Sequence, residues 1–248
     1  SGSVDAAPEQ TGYTEYIWCS NGENYSRESS DARNEMWVEA LNDLGMSSMA
    51  AAEITPSGWS SENFDRSTVL FWENKESRDA GWEAYLAAGV EEKLEEAYPG
   101  VEVCGGEGWQ NVYPTNSYSI REAKLDKEFK VGYQFCDFNE GKVPEDLRAF
   151  VRGPWAEFLK QYDSQNPLST YGLNINTPDF DDEAVEVHEG VPETFDYIWV
   201  NLWGDAAELD RGWSAVDEYG EGMMKAVNEV AVCSQEQVLD GRNIKTRS

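Results

Sequence analysis

The sequence predicts an α+β protein built from two copies of one β-α-β-β-α-β unit. Three observations carry the prediction: an ungapped internal match, the same order of strand and helix signals in each half, and four cysteines at equivalent places. In the match, Phe64-Asp-Arg-Ser-Thr-Val-Leu-Phe-Trp72 aligns with Phe195-Asp-Tyr-Ile-Trp-Val-Asn-Leu-Trp203. Phe64, Asp65, Val69, Trp72, Asp79, Gly81 and Trp82 recur as Phe195, Asp196, Val200, Trp203, Asp210, Gly212 and Trp213.

The elements follow in order. Tyr13, Tyr16, Ile17 and Trp18 mark a first strand by β propensity. Met36, Trp37, Ala40, Leu41 and Leu44 recur at helical spacing, and Gly45 stops that helix. Met46 to Thr55 is a second strand, closed by Pro56-Ser-Gly58. The third is Phe64 to Trp72, followed by a helix from about Asn74, a plausible N-cap, to Ala97. Pro99-Gly100 breaks it, and Val101-Glu-Val-Cys104 is the last strand. In the second half, Lys130 to Cys136 is a strand. A helical face follows with Leu147, Phe150, Val151, Phe158 and Leu159, which Pro154 kinks or splits. Leu168 to Pro178 parallels Met46 to Pro56. After an acidic loop, Asp179 to Glu193, comes the Phe195 to Trp203 strand. Asp205 and Glu208 form a capping box for its helix, and Val230 to Cys233 closes the repeat.

The units occupy residues 12–110 and 129–237, with a linker at 111–128. Residues 1–11 and 238–248 are small and polar and are expected to be disordered. The chain opens on Ser1-Gly-Ser rather than Met, which reads as a processed or trimmed start. Two such units make the ferredoxin-like arrangement, duplicated. Over about residues 12–237 the pattern resembles the dimeric α+β barrel superfamily. The resemblance implies two sheets closing into one pseudo-dimeric barrel with helices outside, in a monomeric chain. Two separate ferredoxin-like domains are the alternative.

First and last strands are neighbours in a ferredoxin-like sheet. Cys19 and Cys136 end first strands; Cys104 and Cys233 end last strands. That topology pairs Cys19 with Cys104 and Cys136 with Cys233, of three possible connectivities. Free buried thiols are the alternative. A metal site is disfavoured, because no Cys-x-x-Cys occurs and His188 is the one histidine. Two disulfides imply an oxidising compartment, periplasmic or secreted.

Composition excludes some partners. The 48 Asp and Glu outnumber 19 Lys and Arg, for a formal net charge of −29. Such a surface repels nucleic acid and anionic membranes. No apolar run approaches the roughly 20 residues that span a bilayer.

Alternation along the strands gives candidate binding residues. Tyr197, Trp199, Asn201 and Trp203 share one face of their strand, and Ile198, Val200 and Leu202 the other. Assigning the aromatic and polar faces inward gives an interior of Tyr16, Trp18, Arg66, Trp72, Tyr133, Phe135, Tyr197, Trp199, Asn201 and Trp203. Aromatic walls with a few polar groups suit a small apolar or aromatic ligand; the same residues also suit a filled core. Relatives of the fold include cofactor-free monooxygenases, isomerases, cyclases, haem enzymes and proteins of no known activity, so the resemblance implies no single reaction. No cofactor is expected, since His188 sits in the acidic loop. Asp179, Asp181, Asp182 and Glu183 offer hard oxygens for Ca²⁺, but a solvated loop explains them as well. Two readings follow: an exported binder of a small molecule, with or without cofactor-free catalysis, or a non-catalytic protein with a packed barrel that meets a protein partner or Ca²⁺ through its surface. Gly81 and Gly212, inside helices, read as points of close approach to the sheet.

Overall fold

The computed structural model describes residues 9–106, 111–180 and 194–248. His188, Asp181, Asp182, Glu183 and residues 1–8 lie outside the described residues. The first half contains β1 (Gly12–Asn21), α1 (Arg27–Asp43), β2 (Ala50–Pro56), β3 (Arg66–Trp72), α2 (Lys75–Ala87), α3 (Val90–Ala97), β4 (Glu102–Cys104) and β5 (Val112–Arg121). The second half contains β6 (Glu128–Phe138), α4 (Pro144–Phe150), a π-helical turn (Val151–Trp155), α5 (Ala156–Gln165), β7 (Gly172–Pro178) and β8 (Tyr197–Trp203). It ends with α6 (Ala206–Tyr219), α7 (Glu221–Val230), β9 (Ala231–Cys233) and β10 (Gln237–Lys245).

Eight of the described strands close an antiparallel barrel in the order β10-β2-β3-β1-β5-β7-β8-β6, with β6 returning to β10. The short β4 and β9 extend the edges of β1 and β6. Within each half the sheet has the expected ferredoxin-like neighbours. What joins the halves is different from expectation. The segment 111–128, expected as a linker, supplies β5, which pairs with β1 of its own half and with β7 of the other. The C-terminal tail, expected to be disordered, supplies β10, which pairs with β6 and crosses to β2. β5 carries Pro114, Asn116, Ser117 and Ser119, and β10 carries Asp240, Gly241 and Asn243, residues that read as loop. Ladder hydrogen bonds on both edges hold them in place of a run of β-branched side chains. At Gly241 a Cβ would stand 2.2 Å from the Phe129 ring, so the missing side chain lets that ring lie over β10.

The helices differ from expectation in three places. The helix expected from Asn74 to Ala97 is two helices, because Gly89 takes a left-handed conformation, φ 59°, between α2 and α3. The second half breaks at the corresponding point, between α6 and α7 at Gly220. Asn74 does cap α2, accepting from the Ser77 amide. At α6 only half of the expected capping box forms. Asp205 accepts from the Glu208 amide at 2.8 Å. The Glu208 side chain instead accepts from Ser169 Oγ at 2.5 Å and the Thr170 amide at 2.7 Å. It thereby ties α6 to the loop before β7 rather than to its own N-terminus.

The two repeated glycines sit against the repeated tryptophans. A Cβ at Gly81 would meet the Trp72 ring at 2.6 Å, and one at Gly212 would meet Trp203 Nε1 at 3.2 Å. Pro154 falls in the π-helical turn, where it donates no backbone hydrogen bond. The corresponding helix of the first half, α1, runs unbroken for 17 residues.

Both expected disulfides are present. Cys19 stands directly opposite Cys104, and Cys136 directly opposite Cys233, on the β1–β4 and β6–β9 ladders. Each closes a long stretch of chain. Replacing Cys136 and Cys233 by Ala, which opens a separation of 97 residues, should cost on the order of 4 kcal/mol in the chain-entropy account. Urea unfolding would read this as a lower midpoint; an unchanged midpoint would show that the bond adds nothing to the ladder.

Candidate functional site

Register decides which side of the barrel a residue faces, because directly opposed residues on paired strands share a face. Val131, Tyr133 and Phe135 stand opposite Leu202, Val200 and Ile198. All six belong to the cluster inside the barrel. Tyr197, Trp199, Asn201 and Trp203 therefore point outward, beneath the helices. The twin strand β3 behaves alike. Tyr16 and Trp18 stand opposite Val69 and Ser67, and Leu70 and Trp72 pack on the helical side. The expectation for β3 and β8 is thus inverted, while that for β1 and β6 holds. Both faces of these strands are buried, one by the barrel and one by helices. Alternation separates the two faces without saying which is inside.

The expected set is accordingly divided. Tyr16, Trp18, Tyr133 and Phe135 lie inside the barrel. Arg66 lies on the helical side of the first half, in a buried ion network. It contacts Glu102 and Asn21, and Glu102 also accepts from Arg33 at 2.6 Å. Trp72 lies under α2. Tyr197 packs on Phe138 at a centroid distance of 5.3 Å. Trp199, Asn201 and Trp203 line a cavity of about 200 Å³ between β8 and the helices of the second half.

This cavity is built from aromatic side chains fixed by one polar chain. Trp155, carried by the π-helical turn, meets Trp199 edge-on at 6.1 Å. The Tyr171 hydroxyl donates to Asn201 Oδ1 at 2.8 Å, and Trp199 Nε1 donates to the same oxygen at 2.9 Å. With Oδ1 taking two donors, the Asn201 amide has one orientation, and Nδ2 donates to Glu236 at 2.8 Å. The second Glu236 oxygen accepts from Trp213 Nε1 at 3.0 Å. The indole N–H groups of Trp199 and Trp213 are both engaged, which leaves ring surfaces and the side chains of Val216, Met223 and Met224 toward the cavity. Burial holds the Glu236 carboxyl above the usual carboxylate range. Burial likewise raises the Tyr171 hydroxyl.

Glu236 has a counterpart with a different origin. In the first half a wholly buried carboxyl comes from β1 itself: Glu15 accepts from Trp72 and Trp82 and pairs with Arg78 at 3.0 Å. Its twin in the repeat alignment is Gly132 on β6. A Cβ there would stand 2.4 Å from the Glu236 carboxyl carbon, so Glu236 reaches into the space that glycine leaves. Trp82 and Trp213, matched in sequence, both donate to these carboxyls. Where the first half adds a cation, the second adds Asn201. Neither Glu236 nor the Tyr171–Asn201 pairing is legible from the sequence, because Glu236 falls in a polar stretch between β9 and β10.

Inside the barrel, Tyr16 and Tyr133 meet edge-to-face at 5.7 Å. With Ile54 they divide the interior in two. One compartment, lined by Trp18, Trp59, Tyr113, Phe135, Phe180 and Phe195, retains only about 50 Å³. The other is about 330 Å³. Burial pushes the Tyr16 hydroxyl up to about 12, so this divider is uncharged at neutral pH. Of the acidic run, Asp179 is described. It accepts from Tyr13 at 2.6 Å and pairs with Lys75 at 2.7 Å.

No family model and no curated protein matches this chain. Solved structures do. A mutant chlorite dismutase from Candidatus Nitrospira defluvii matches with a TM-score of 0.55 and 8% identity, over 95% of this chain and 93% of its own. A monooxygenase candidate from Lactobacillus acidophilus matches at 0.53 and 8%, over 96% and 97%. A haem-binding protein from Thermus thermophilus matches at 0.50 and 7%, over 94% and 91%. The fold is that of the dimeric α+β barrel proteins. These likenesses concern the α+β barrel alone.

The described residues that line the helix-side cavity include no histidine to ligate a haem iron and no lysine or arginine to meet acidic substituents. Among the described residues, no cluster of three or more His, Cys, Asp or Glu is arranged to hold a metal ion.

The polar chain has a direct test. Glu236→Gln would turn an amide N–H toward either Trp213 or Asn201, both donors. The mismatch should cost about 1–3 kcal/mol, measured by urea unfolding at neutral pH. A variant as stable as the parent would mean that the carboxyl does not hold these partners.

Proposed function

We propose that this is an exported protein that binds one small apolar or aromatic molecule in the cavity between β8 and the helices of the second half. The observation that carries the reading is the cavity wall itself. Four tryptophans, Trp155, Trp199, Trp203 and Trp213, line it; Trp199 and Trp213 are oriented by hydrogen bonds to Asn201 and Glu236, and Trp155 packs edge-on against Trp199. Aromatic walls whose Trp199, Trp213 and Asn201 groups are already paired favour a largely apolar occupant; among the described lining groups, the Tyr162 hydroxyl is the one buried without a partner.

Divergence between the repeats supports this reading. Thr68 and Leu70 are the twins of Trp199 and Asn201. A scaffold requirement would act on both halves. The π-helical turn that delivers Trp155 is also confined to the second half among the described helices. The aromatic compartment inside the barrel is less suited, since only about 50 Å³ of it remains open.

Export is supported by the two disulfides, which persist in oxidising compartments. No helix among the described residues is long and apolar enough to cross a membrane. The net charge of −29 adds a strongly hydrated surface.

Calorimetric titration with toluene tests the reading. Toluene should bind the parent protein. Val216→Trp, which places a ring in the cavity, should weaken binding by at least about tenfold with thermal stability retained. Toluene affinity unaffected by the filling substitution would place binding elsewhere.

A further inference from the structure

We propose that the larger compartment inside the barrel is a second binding site, for an uncharged molecule that joins an apolar body to one O–H or N–H donor, as an alcohol or phenol does. It is separate from the helix-side cavity, on the opposite face of the strands.

The compartment of about 330 Å³ has two unlike walls. Three adjacent strands, β1, β5 and β7, contribute Thr14, Ser117, Asn174 and Asn176. The facing strands contribute aliphatic and phenyl side chains, among them Val69, Phe71, Val131 and Val200. The charged lining residues, Glu122 and Arg247, are both solvent-exposed and so belong to its outer edge. An interior that is polar along one stripe and apolar around the rest suits a neutral amphipathic guest.

One atom on the polar stripe lacks a partner. Asn176 is 2% exposed. Its Nδ2 donates to the Tyr16 hydroxyl at 2.8 Å, and its Oδ1 is buried with no hydrogen bond. Buried carbonyl oxygens are ordinarily paired, so this one is an acceptor awaiting a donor. Thr14 and Ser117, by contrast, satisfy each other at 2.6 Å. The scaffold does not require amides here. In the repeat alignment Asn174 and Asn176 fall on Ala52 and Ile54, which are apolar and line the same compartment. The second copy carries amides at two positions that are apolar in the first, on one wall only.

The ligand chemistry follows from these groups. An unpaired amide oxygen selects a donor. The apolar walls select a hydrocarbon body. An interior without a buried charge rejects an ion.

Phenol and toluene, which differ in one hydroxyl, are the probes. Titration of the full chain by calorimetry should show phenol binding about tenfold more tightly than toluene. Phenol should also shift the Asn176 side-chain amide resonance in a ¹H–¹⁵N spectrum, a readout that needs no variant. Asn176→Leu should abolish the preference while leaving toluene affinity unchanged. No preference for phenol would overturn the proposal, as would an unmoved Asn176 amide. A phenol response confined to Trp213 and the Asn201 amide would overturn it too, while still supporting the helix-side site.

Discussion

The structure depends on how two incomplete sheets close. Each half alone would leave exposed edges, which are templates for unwanted pairing. Here the last strand of each half crosses over. β5 fills the gap between β1 and β7, and β10 fills the gap between β6 and β2. Neither half has a complete wall without a strand of the other. Closure creates two kinds of buried space: the barrel interior, and the layer between strands and helices on each side. Every candidate site described above occupies one of these.

The halves share a scaffold and differ in what they place in that layer. Both set a carboxyl against matched tryptophans, but Glu15 faces Arg78 whereas Glu236 faces Asn201. On the first side the layer also holds Arg66, Arg33, Glu53 and Glu102, all buried. Removing so many charges from water costs free energy that only mutual pairing offsets. The twin of Arg66 is Tyr197, and the twin of Thr68 is Trp199. One copy therefore fills its layer with ion pairs, and the other with an aromatic cavity. A paired charge needs its partner in one geometry, which makes that half a poor place for an exchangeable guest. Aromatic walls tolerate a guest or its absence.

Much of this was legible before any coordinates. The Asn74 and Asp205 caps and the close approach at Gly81 and Gly212 follow from local rules, and both disulfides follow from the strand neighbours of the ferredoxin-like unit. The strands β5 and β10 were hidden, because Thr115, Ser117, Asp240 and Asn243 read as loop residues. Their stability comes from neighbours remote in sequence. The facing of β8 was misread for a related reason. Trp199 and Val200 are both buried, at 9% and 3% exposure, so hydrophobicity alone cannot tell inside from outside. Register against β6 decides it, and register is a long-range property. Trp199, Asn201 and Trp203 do gather in one place as the sequence suggested, but on the other side of the wall.

Closure by exchanged strands is the claim from which the rest follows. Native-state hydrogen exchange tests it directly. Central amides of β5 and β10 should exchange with the same opening free energy as those of β1 and β6, in one global unfolding unit. Fast exchange in β5 and β10, with each half protected independently, would contradict a single closed barrel.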